Sequence, residues 1–233
     1  RSLTVSSALG AGPSKSMPFF GIIAISATFV VTLGEIDLSF PSIVGITSLT
    51  FAMVLTAPWG NFFIAFTLAT ALGMFAGYIN GVLVTKIGIP SIVATIGTLY
   101  FWRGLVNVVS QGSGVAIVDA ADDTWHHALF VEKIFGYIPA QFVWFVVLTA
   151  LMHWIYRYHK FGNHIHFVGD NKDSSQMMGI NVDNVKIIAF VQLGFFSALA
   201  GIFTMHEMLY FWPTQGSGLM LTTLAAVFVG GTS

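Results

Sequence analysis

Two carboxylates stand alone in a long apolar part of the chain. Glu35 and Asp37 lie within VVTLGEIDLSFPSIVGI, residues 30–46, and the rest of segment 16–85 is uncharged. Acids in such surroundings bind a proton or a cation, pair with a basic side chain, or stabilise the N-terminus of a helix. The two carboxylates are therefore the first candidates for a functional or architectural role.

The same segment predicts a break between two helices. Gly34 is suited to end one helix, and Pro41 is suited to the first turn of the next. In the structural interpretation, Asp37 or Ser39 caps the second helix, whose positive dipole end favours a carboxylate. In the functional interpretation, the break opens backbone and acid towards a cavity, because irregular backbone at membrane depth must be covered by protein or water. Both interpretations remain open on these residues alone.

Asn80 and Arg103 are polar residues in two further apolar segments. A charged side chain at membrane depth costs at least about 2.5 kcal/mol and usually faces a partner or a water-filled cavity. Arg103 follows Pro90 by thirteen residues, which is about 20 Å along a straight helix. Its guanidinium can extend outward to the interface or pair with an acid. We hypothesise that Arg103 lines an aqueous pathway.

The histidines match no common metal-ligand spacing. We expect them to be solvated residues of loops and span ends: His126, His127, His164, His166 and His206, the last beside Glu207. The chain has no cysteine, and it contains no nucleophile elbow, HExxH, P-loop or Rossmann glycine pattern. The sequence therefore predicts no catalytic residues, no metal site and no cofactor bound by this chain.

The composition is that of an integral membrane protein. The 233 residues are 55 % hydrophobic and 8 % charged, whereas about a quarter of a soluble domain is charged. Several uncharged runs are long enough for a helix of about 20 residues that crosses a bilayer. We predict an all-α, polytopic membrane helix bundle with broken or re-entrant helices, forming a single domain over 1–233. The expected spans are 17–34, 39–57, 62–87, 90–110, 137–158, 186–206 and 217–230, the last either a span or a re-entrant segment.

Basic residues orient the bundle, because short cytoplasmic loops keep an excess of Lys and Arg. Four basic residues occur in 157–186, whereas 111–136 holds Lys133 among four acids. We therefore place 159–185 in the cytoplasm as an inner loop and 111–136 outside as an external loop. Glu35 and Asp37 then fall on the cytoplasmic side, provided that the first two spans cross fully.

Small residues recur every fourth position in the third span, at Ala69, Gly73, Gly77 and Gly81. They form one stripe on a helix and predict close packing against a neighbouring helix.

The inner loop 159–185 is predicted to contain a short helix. Asp170 or Asn171 is suited to cap its N-terminus, and Gly179 to end it. Such a helix exposes polar side chains beside Met177 and Met178, and methionine adapts readily to partner surfaces. A binding site for a partner and a plain interfacial turn both explain these residues.

Four motifs in order resemble one family, the permease subunits of bacterial sugar ABC importers of the ribose, xylose and arabinose type. They are GEIDLSFPS at 34–42, INGVLVTKIGIPSIVATIGTLYFWRGL at 79–105, FGNHIHFVGDNKDSSQMMGINV at 161–182 and LAAVFVGGTS at 224–233. The resemblance implies a multi-pass protein of the cell inner membrane that pairs with a second permease chain, identical or not. It also implies more helices than this chain holds, so both ends are expected to be cuts through a longer protein.

The resemblance further implies partners and roles. Two ATP-binding cassette subunits, which use ATP and Mg, lie inside, and an extracytoplasmic sugar-binding protein lies outside; no nucleic acid is expected. The segment that docks on the ATPase corresponds to Gly169, Asp170, Asn171, Lys172, Asp173, Ser174, Ser175, Met178 and Gly179. The candidate residues of the helix break and pathway are Gly34, Glu35, Asp37, Ser39, Pro41, Asn80 and Arg103. Of these the resemblance covers Asp37 and Ser39, as part of the unit Ile36-Asp37-Leu38-Ser39, and favours a broken helix there.

The sequence departs from the family pattern at three places. Glu35 replaces a second glycine, Phe40-Pro41 replaces Val-Gly, and Ser174-Ser175 replaces two alanines. The extra carboxylate of Glu35 is left without an explanation.

The expected function is transport of a sugar by alternating access, driven by a separate ATPase. The alternatives are a related permease for a nucleoside, an autoinducer or an amino acid, and an ion-coupled secondary transporter that uses Glu35 and Asp37.

Overall fold

The computed structural model describes residues 17–134 and 136–230 as an α-helical bundle. Its helices are α1 Met17–Thr32, α2 Phe40–Leu55, α3 Phe62–Thr85, α4 Ser91–Ser110, α5 Val118–Ala121, α6 Trp125–Val131, α7 Ala140–Tyr158, α8 Lys160–Asp170, α9 Lys172–Met177, α10 Val182–Met208 and α11 Leu219–Val229. Short strands β1 Val115–Ala116, β2 Lys133–Ile134, β3 Ile138–Pro139 and β4 Tyr210–Phe211 form two antiparallel pairs, β1 with β4 and β2 with β3. The all-α fold class is confirmed.

Local signals set the ends of the helices. Asn61 caps α3 by accepting from the N–H of Ile64 at 3.0 Å, and Gln111 ends α4 in the left-handed conformation at φ 52°. Within the described residues, α3, α4 and α10 are long and apolar enough to cross a membrane. The sixteen residues of α1 and of α2 extend about 24 Å and the eleven of α11 about 16 Å, less than the roughly 30 Å hydrocarbon core. Which of these helices cross the bilayer stays a prediction.

Helix α10 lies at the centre of the bundle and packs against α1, α2 and α3. The small-residue stripe of α3 faces it, as predicted. A Cβ atom added to Gly73 would meet the carbonyl of Gly194, and one added to Gly77 would meet the carbonyl of Phe190. The absence of side chains at these positions lets the two backbones approach closely.

The bundle has two distinct ends. At the first, which we call the inner end, the segment 33–39, the 86–90 turn, α8 and α9 come together. At the opposite, outer end, β1 pairs with β4 and α6 packs on α10. The assignment of the inner end to the cytoplasm and of the outer end to the outside stays a prediction. Residues 1–16 and 231–233 lie outside the described residues. The expected cut ends and the last three residues of the fourth motif fall in these two segments.

Candidate functional site

The predicted helix break lies between α1 and α2. Gly34 adopts φ +74°, and its N–H donates to the carbonyl of Val31 at 2.9 Å while the N–H of Glu35 donates to that of Val30 at 3.1 Å. These two bonds form a Schellman motif, in which glycine takes the left-handed conformation without a Cβ penalty. Pro41 stands in the first turn of α2, where its missing N–H costs nothing. Local sequence therefore explains both ends of the break.

Hydroxyl groups of α4 cover the irregular backbone of the break. The N–H of Ile36 donates to Ser91 Oγ at 3.2 Å, and the N–H of Leu38 donates to Thr95 Oγ1 at 3.1 Å. Non-helical backbone within a membrane protein needs such partners, because lipid offers none.

Asp37 is the acceptor at the centre of a buried polar network. Its carboxylate is 4 % exposed and accepts from the Ser39 N–H at 2.6 Å and the Ser39 hydroxyl at 2.7 Å. Asn80 Nδ2 donates to Asp37 Oδ2 at 3.1 Å and to Ser39 Oγ at 2.7 Å, and Thr98 Oγ1 donates to Asn80 Oδ1 at 2.7 Å. The network joins the break to α3 and α4.

Of the two candidate caps, Asp37 is the one whose side chain binds backbone at the start of α2, through the Ser39 N–H. Ser39 is the N-cap residue of α2, but its side chain accepts no hydrogen bond from that helix. Its hydroxyl is already used, since it donates to Asp37 and accepts from Asn80. Asp37 holds Ser39 in place at the start of α2, and its architectural role stays a prediction.

Glu35 forms an ion pair with Lys186 in the first turns of α10. This basic partner explains how a carboxylate is accommodated at position 35. Both side chains are only 14 % exposed. Beside them is a cavity of about 300 Å³ whose wall also includes Ser91, Lys172 and Asp183. The ion pair thus connects the helix break with α10 at the inner end.

Arg103 pairs with no acid within the described residues; it binds backbone carbonyls instead. Nη1 donates to the carbonyls of Pro213 at 2.8 Å and Gln215 at 2.9 Å, and Nη2 donates to that of Pro41 at 3.3 Å. Of the two alternatives left open for Arg103, the structure does not show the acidic partner, and lining of an aqueous pathway stays a hypothesis. Arg103 fastens the segment 212–218, which connects β4 to α11, onto the start of α2. Gln215 strengthens this attachment, because its Nε2 donates to Ser48 Oγ at 3.0 Å.

The predicted short helix of the inner loop is α9. Asn171 caps it by accepting from the Ser174 N–H at 2.9 Å, and Gly179 follows it at φ +81°. Asp170, the alternative cap, is instead the last residue of α8. The exposed residues of α9 and its end are Lys172, Asp173, Ser174, Gln176, Met177 and Met178, and Ser175 is buried.

Helix α8 was not predicted. Because α8 and α9 together occupy most of segment 159–185, the inner loop is mostly helical. His159 caps α8, accepting at Nδ1 from the N–H of Phe161 at 3.2 Å. The end of α8 packs on the end of α1, where a Cβ added to Gly169 would meet the carbonyl of Thr32. Thr32 Oγ1 also lies 3.0 Å from the Tyr156 hydroxyl. The segment 159–171 therefore contacts the helix that precedes the break.

The expectation that His126 and His206 are solvated is wrong. Both are buried, at 5 % and 0 % exposure, and His126 Nδ1 lies 3.1 Å from His206 Nε2. His164 and His166 are half-buried. Glu207 is also half-buried, and it accepts from Nε2 of the buried Gln141 at 2.8 Å. Within the described residues, no three His, Asp or Glu side chains form a group that could hold a metal ion.

Comparisons with known proteins identify the family of this chain. Residues 15–233 match the family described as the permease component of branched-chain amino acid transport systems. A protein of Yersinia pseudotuberculosis serotype O:3 (strain YPIII), named autoinducer 2 import system permease protein LsrC, is 35 % identical over 214 residues, 91 % of this chain and 59 % of the relative. The protein of the same name from Photorhabdus luminescens is 35 % identical over 214 residues, 91 % of this chain and 62 % of the relative. The chain thus spans about three-fifths of the length of these curated relatives. No solved structure matches it.

Proposed function

Because the chain belongs to the family of permease components of branched-chain amino acid transport systems, we propose that it is the membrane-spanning permease subunit of an ABC importer. It moves a small hydroxyl-bearing solute across the cell inner membrane by alternating access. The motifs favour a sugar. The names of the relatives, which are autoinducer 2 import permeases, favour autoinducer 2 as the second substrate to test.

The observation that carries this proposal is the set of contacts between the α8–α9 segment and the broken helix. Gly169 of α8 packs against Thr32, the last residue of α1. Lys172 of α9 shares the inner cavity with Glu35, and Glu35 is paired with Lys186 of α10. Movement of α9 would therefore reach the break through α8, which contacts both α9 and the end of α1.

Helix α9 is suited to receive such a push. Its exposed surface combines Lys172 and Asp173 with Met177 and Met178, which are 90 % and 59 % exposed. Charged groups beside adaptable methionines suit a protein partner. In this proposal α9 docks on an ATP-binding cassette subunit, which uses ATP and Mg, while this chain itself catalyses no reaction. A solute-binding protein delivers the solute from outside, and a second permease chain completes the pathway.

Ion-coupled secondary transport is the less favoured alternative. An ion site needs acids with free oxygen ligands, whereas Asp37 accepts from Ser39 and Asn80 and Glu35 is paired with Lys186. Both acids have partners within this chain, which favours transport driven from outside the permease.

The test is a double substitution on α9, Asp173→Arg with Met178→Arg, in the transporter assembled with its ATPase. We expect the ATPase to fail to co-purify and ATP-driven uptake of radiolabelled D-ribose and autoinducer 2 to be lost. The matched control, Val118→Arg with Asp119→Arg, changes two exposed residues at the outer end and should leave ATPase binding unchanged. Full ATPase binding by the α9 variant would remove this helix from the coupling role, and uptake that needs an ion gradient but no ATP would favour the alternative.

A further inference from the structure

A cavity of about 290 Å³ opens at the outer end of the bundle, away from the helix break. It lies between the N-terminus of α3 and the helices α5 and α6 of the external loop. Its wall consists of Leu55, Gly60, Asn61, Phe62, Phe63, Ala120, Trp125 and His126. This volume is at the small end of ordinary ligand pockets, which measure roughly 300–1,000 Å³, and it suits a molecule the size of a monosaccharide.

Aromatic rings form the apolar part of the wall. Phe62 and Trp125 meet edge to face with ring centroids 5.1 Å apart, and Phe63 lies 5.7 Å from Trp125. The ring of His126 stacks on Phe62 at 4.7 Å with an interplanar angle of 14°. These contacts hold the rings in fixed positions, so the wall offers a preformed apolar surface to the C–H groups of a ligand.

His126 supplies a polar atom that has no partner within the described residues. His206 Nδ1 lies 2.8 Å from the carbonyl of Ile202, and because a carbonyl only accepts, Nδ1 carries the proton. In the uncharged rings His206 Nε2 is then an acceptor, so His126 Nδ1 donates to it across 3.1 Å. The Thr124 hydroxyl, which also lies 3.1 Å from Nδ1, donates its proton to the Ala121 carbonyl and is therefore an acceptor as well. The proton of His126 is thereby committed to Nδ1, and its Nε2 is left as a hydrogen-bond acceptor in the cavity wall.

Two donors complement this acceptor. An α-helix leaves its first N–H groups without intrahelical acceptors, and Asn61 satisfies only that of Ile64. The N–H groups of Phe62 and Phe63 therefore remain available at the end of α3 that borders the cavity. The buried His126, which is 5 % exposed, adds its free acceptor to the same cavity wall as these N–H donors.

The wall contains no Asp, Glu, Lys or Arg. Burial, and then the neighbouring His127, lowers the pKa of His126, so this ring is also neutral near pH 7. A charged ligand such as a zwitterionic amino acid would find no counter-ion, and desolvating its charges would oppose binding.

We propose that this outer cavity binds an uncharged, hydroxyl-bearing solute before it enters the permease. The solute places its C–H face on Phe62 and Trp125, donates a hydroxyl to His126 Nε2 and accepts from the first N–H groups of α3. This inference rests on the proposed transport function and narrows its substrate to neutral polyols, although the family description names amino acids.

The test uses purified permease in phosphatidylcholine nanodiscs, with D-ribose, D-xylose and D-mannitol as neutral probes and L-leucine as the charged comparator. His126→Asn keeps an amide near the position of Nδ1 but removes the acceptor at Nε2, whereas His126→Gln keeps an acceptor near Nε2 and removes the bond to His206. We expect saturable binding of at least one neutral probe and none of L-leucine. We expect His126→Asn to weaken binding about tenfold, the value of one lost hydrogen bond. His126→Gln and the control His127→Asn should stay within about threefold.

Several outcomes would overturn the proposal. One is binding of L-leucine without binding of any polyol, and another is binding of none of the probes. A third is an equal loss of affinity in His126→Asn and His126→Gln, which would show that the bond to His206 is what supports binding. A lipid headgroup such as that of phosphatidylglycerol carries similar hydroxyls, and loss of polyol binding when this lipid is added would assign the cavity to lipid instead. Filling the cavity with Ala120→Leu should raise the KM for uptake of the bound polyol by the whole transporter. ATP-driven uptake with an unchanged KM in both Ala120→Leu and His126→Asn would refute the outer site while leaving the transport function intact.

Discussion

Asn80 Nδ2 and Asp37 Oδ2 lie 3.1 Å apart and link the middle of the bundle to the helix break. Both residues are buried, and together with Ser39 and Thr98 they satisfy one another's polar atoms. An acid and an amide that are 43 positions apart thus behave as one structural unit. A buried network of this kind is stabilising only while each member has a partner.

Asp37→Ala should destabilise the protein. It leaves the Ser39 N–H, the Ser39 hydroxyl and Asn80 without their acceptor, and each unsatisfied buried group costs about 1–3 kcal/mol. We expect a large fall in the midpoint of thermal unfolding in detergent and low yield in the membrane. Asp119→Ala, an exposed acid in the external loop, is the control and should change neither. Normal yield and uptake of Asp37→Ala would contradict an architectural role for this acid.

The Glu35–Lys186 ion pair should show measurable coupling. Glu35→Lys and Lys186→Glu each place like charges together in a region where both side chains are 14 % exposed. Both single variants should therefore lose stability, and the double variant should recover about 1–2 kcal/mol of it.

The ion pair Lys86–Asp183 is the matched control for that cycle. Its side chains are 56 % and 36 % exposed, so solvent screens it and its coupling should be below about 1 kcal/mol. Thermal unfolding of the four variants of each cycle gives both values. Equal coupling in the two pairs would show that burial adds nothing to the Glu35–Lys186 interaction.

We also expect Glu35→Gly to fold and to alter uptake.

Arg103→Ala should loosen the segment 212–218. The substitution removes donors from the carbonyls of Pro213, Gln215 and Pro41. Hydrogen exchange of the backbone N–H groups in this segment should become at least about tenfold faster, since one lost bond is worth roughly 1 kcal/mol or more. Arg103→Lys, which keeps the charge but not the planar fork, should give an intermediate rate.

Arg157→Ala, at the exposed end of α7, is the control for Arg103 and should leave the exchange of 212–218 unchanged. Uptake and assembly at wild-type levels in Arg103→Ala would remove Arg103 from the transport pathway as well.

Gly77→Ala and Gly97→Ala should have opposite effects. A Cβ at Gly77 would meet the backbone of Phe190, whereas one at Gly97 would meet nothing within 4 Å. The first change forces α3 and α10 apart and should cost about 1–3 kcal/mol. The second adds a better helix former in open space and should be neutral or stabilising by up to about 1 kcal/mol. Thermal unfolding distinguishes the two, and a neutral Gly77→Ala would mean that the two helices do not pack backbone to backbone.

Local sequence predicted the helices well. Proline, glycine and asparagine act within a few residues, so the break after Gly34 and the cap of α9 at Asn171 are visible in the printed chain. The membrane class follows from composition in the same way. Helix α8 escaped prediction because its polar surface carries no uninterrupted apolar run, and only packing on α1 and α7 reveals it.

The contacts between polar residues that are far apart in the chain could not be predicted from the sequence. Glu35 and Lys186 are 151 positions apart, Arg103 and Pro213 are 110 apart, and the two buried histidines are 80 apart. The sequence alone determined the all-α membrane class, the helix break after Gly34 and the family of the chain, because these depend on hydrophobic composition, on local turn residues and on contiguous motifs. Only the tertiary structure decided which acid meets which base and which histidine is buried, since those contacts arise from how α10 and the segment after it pack against α1 to α4.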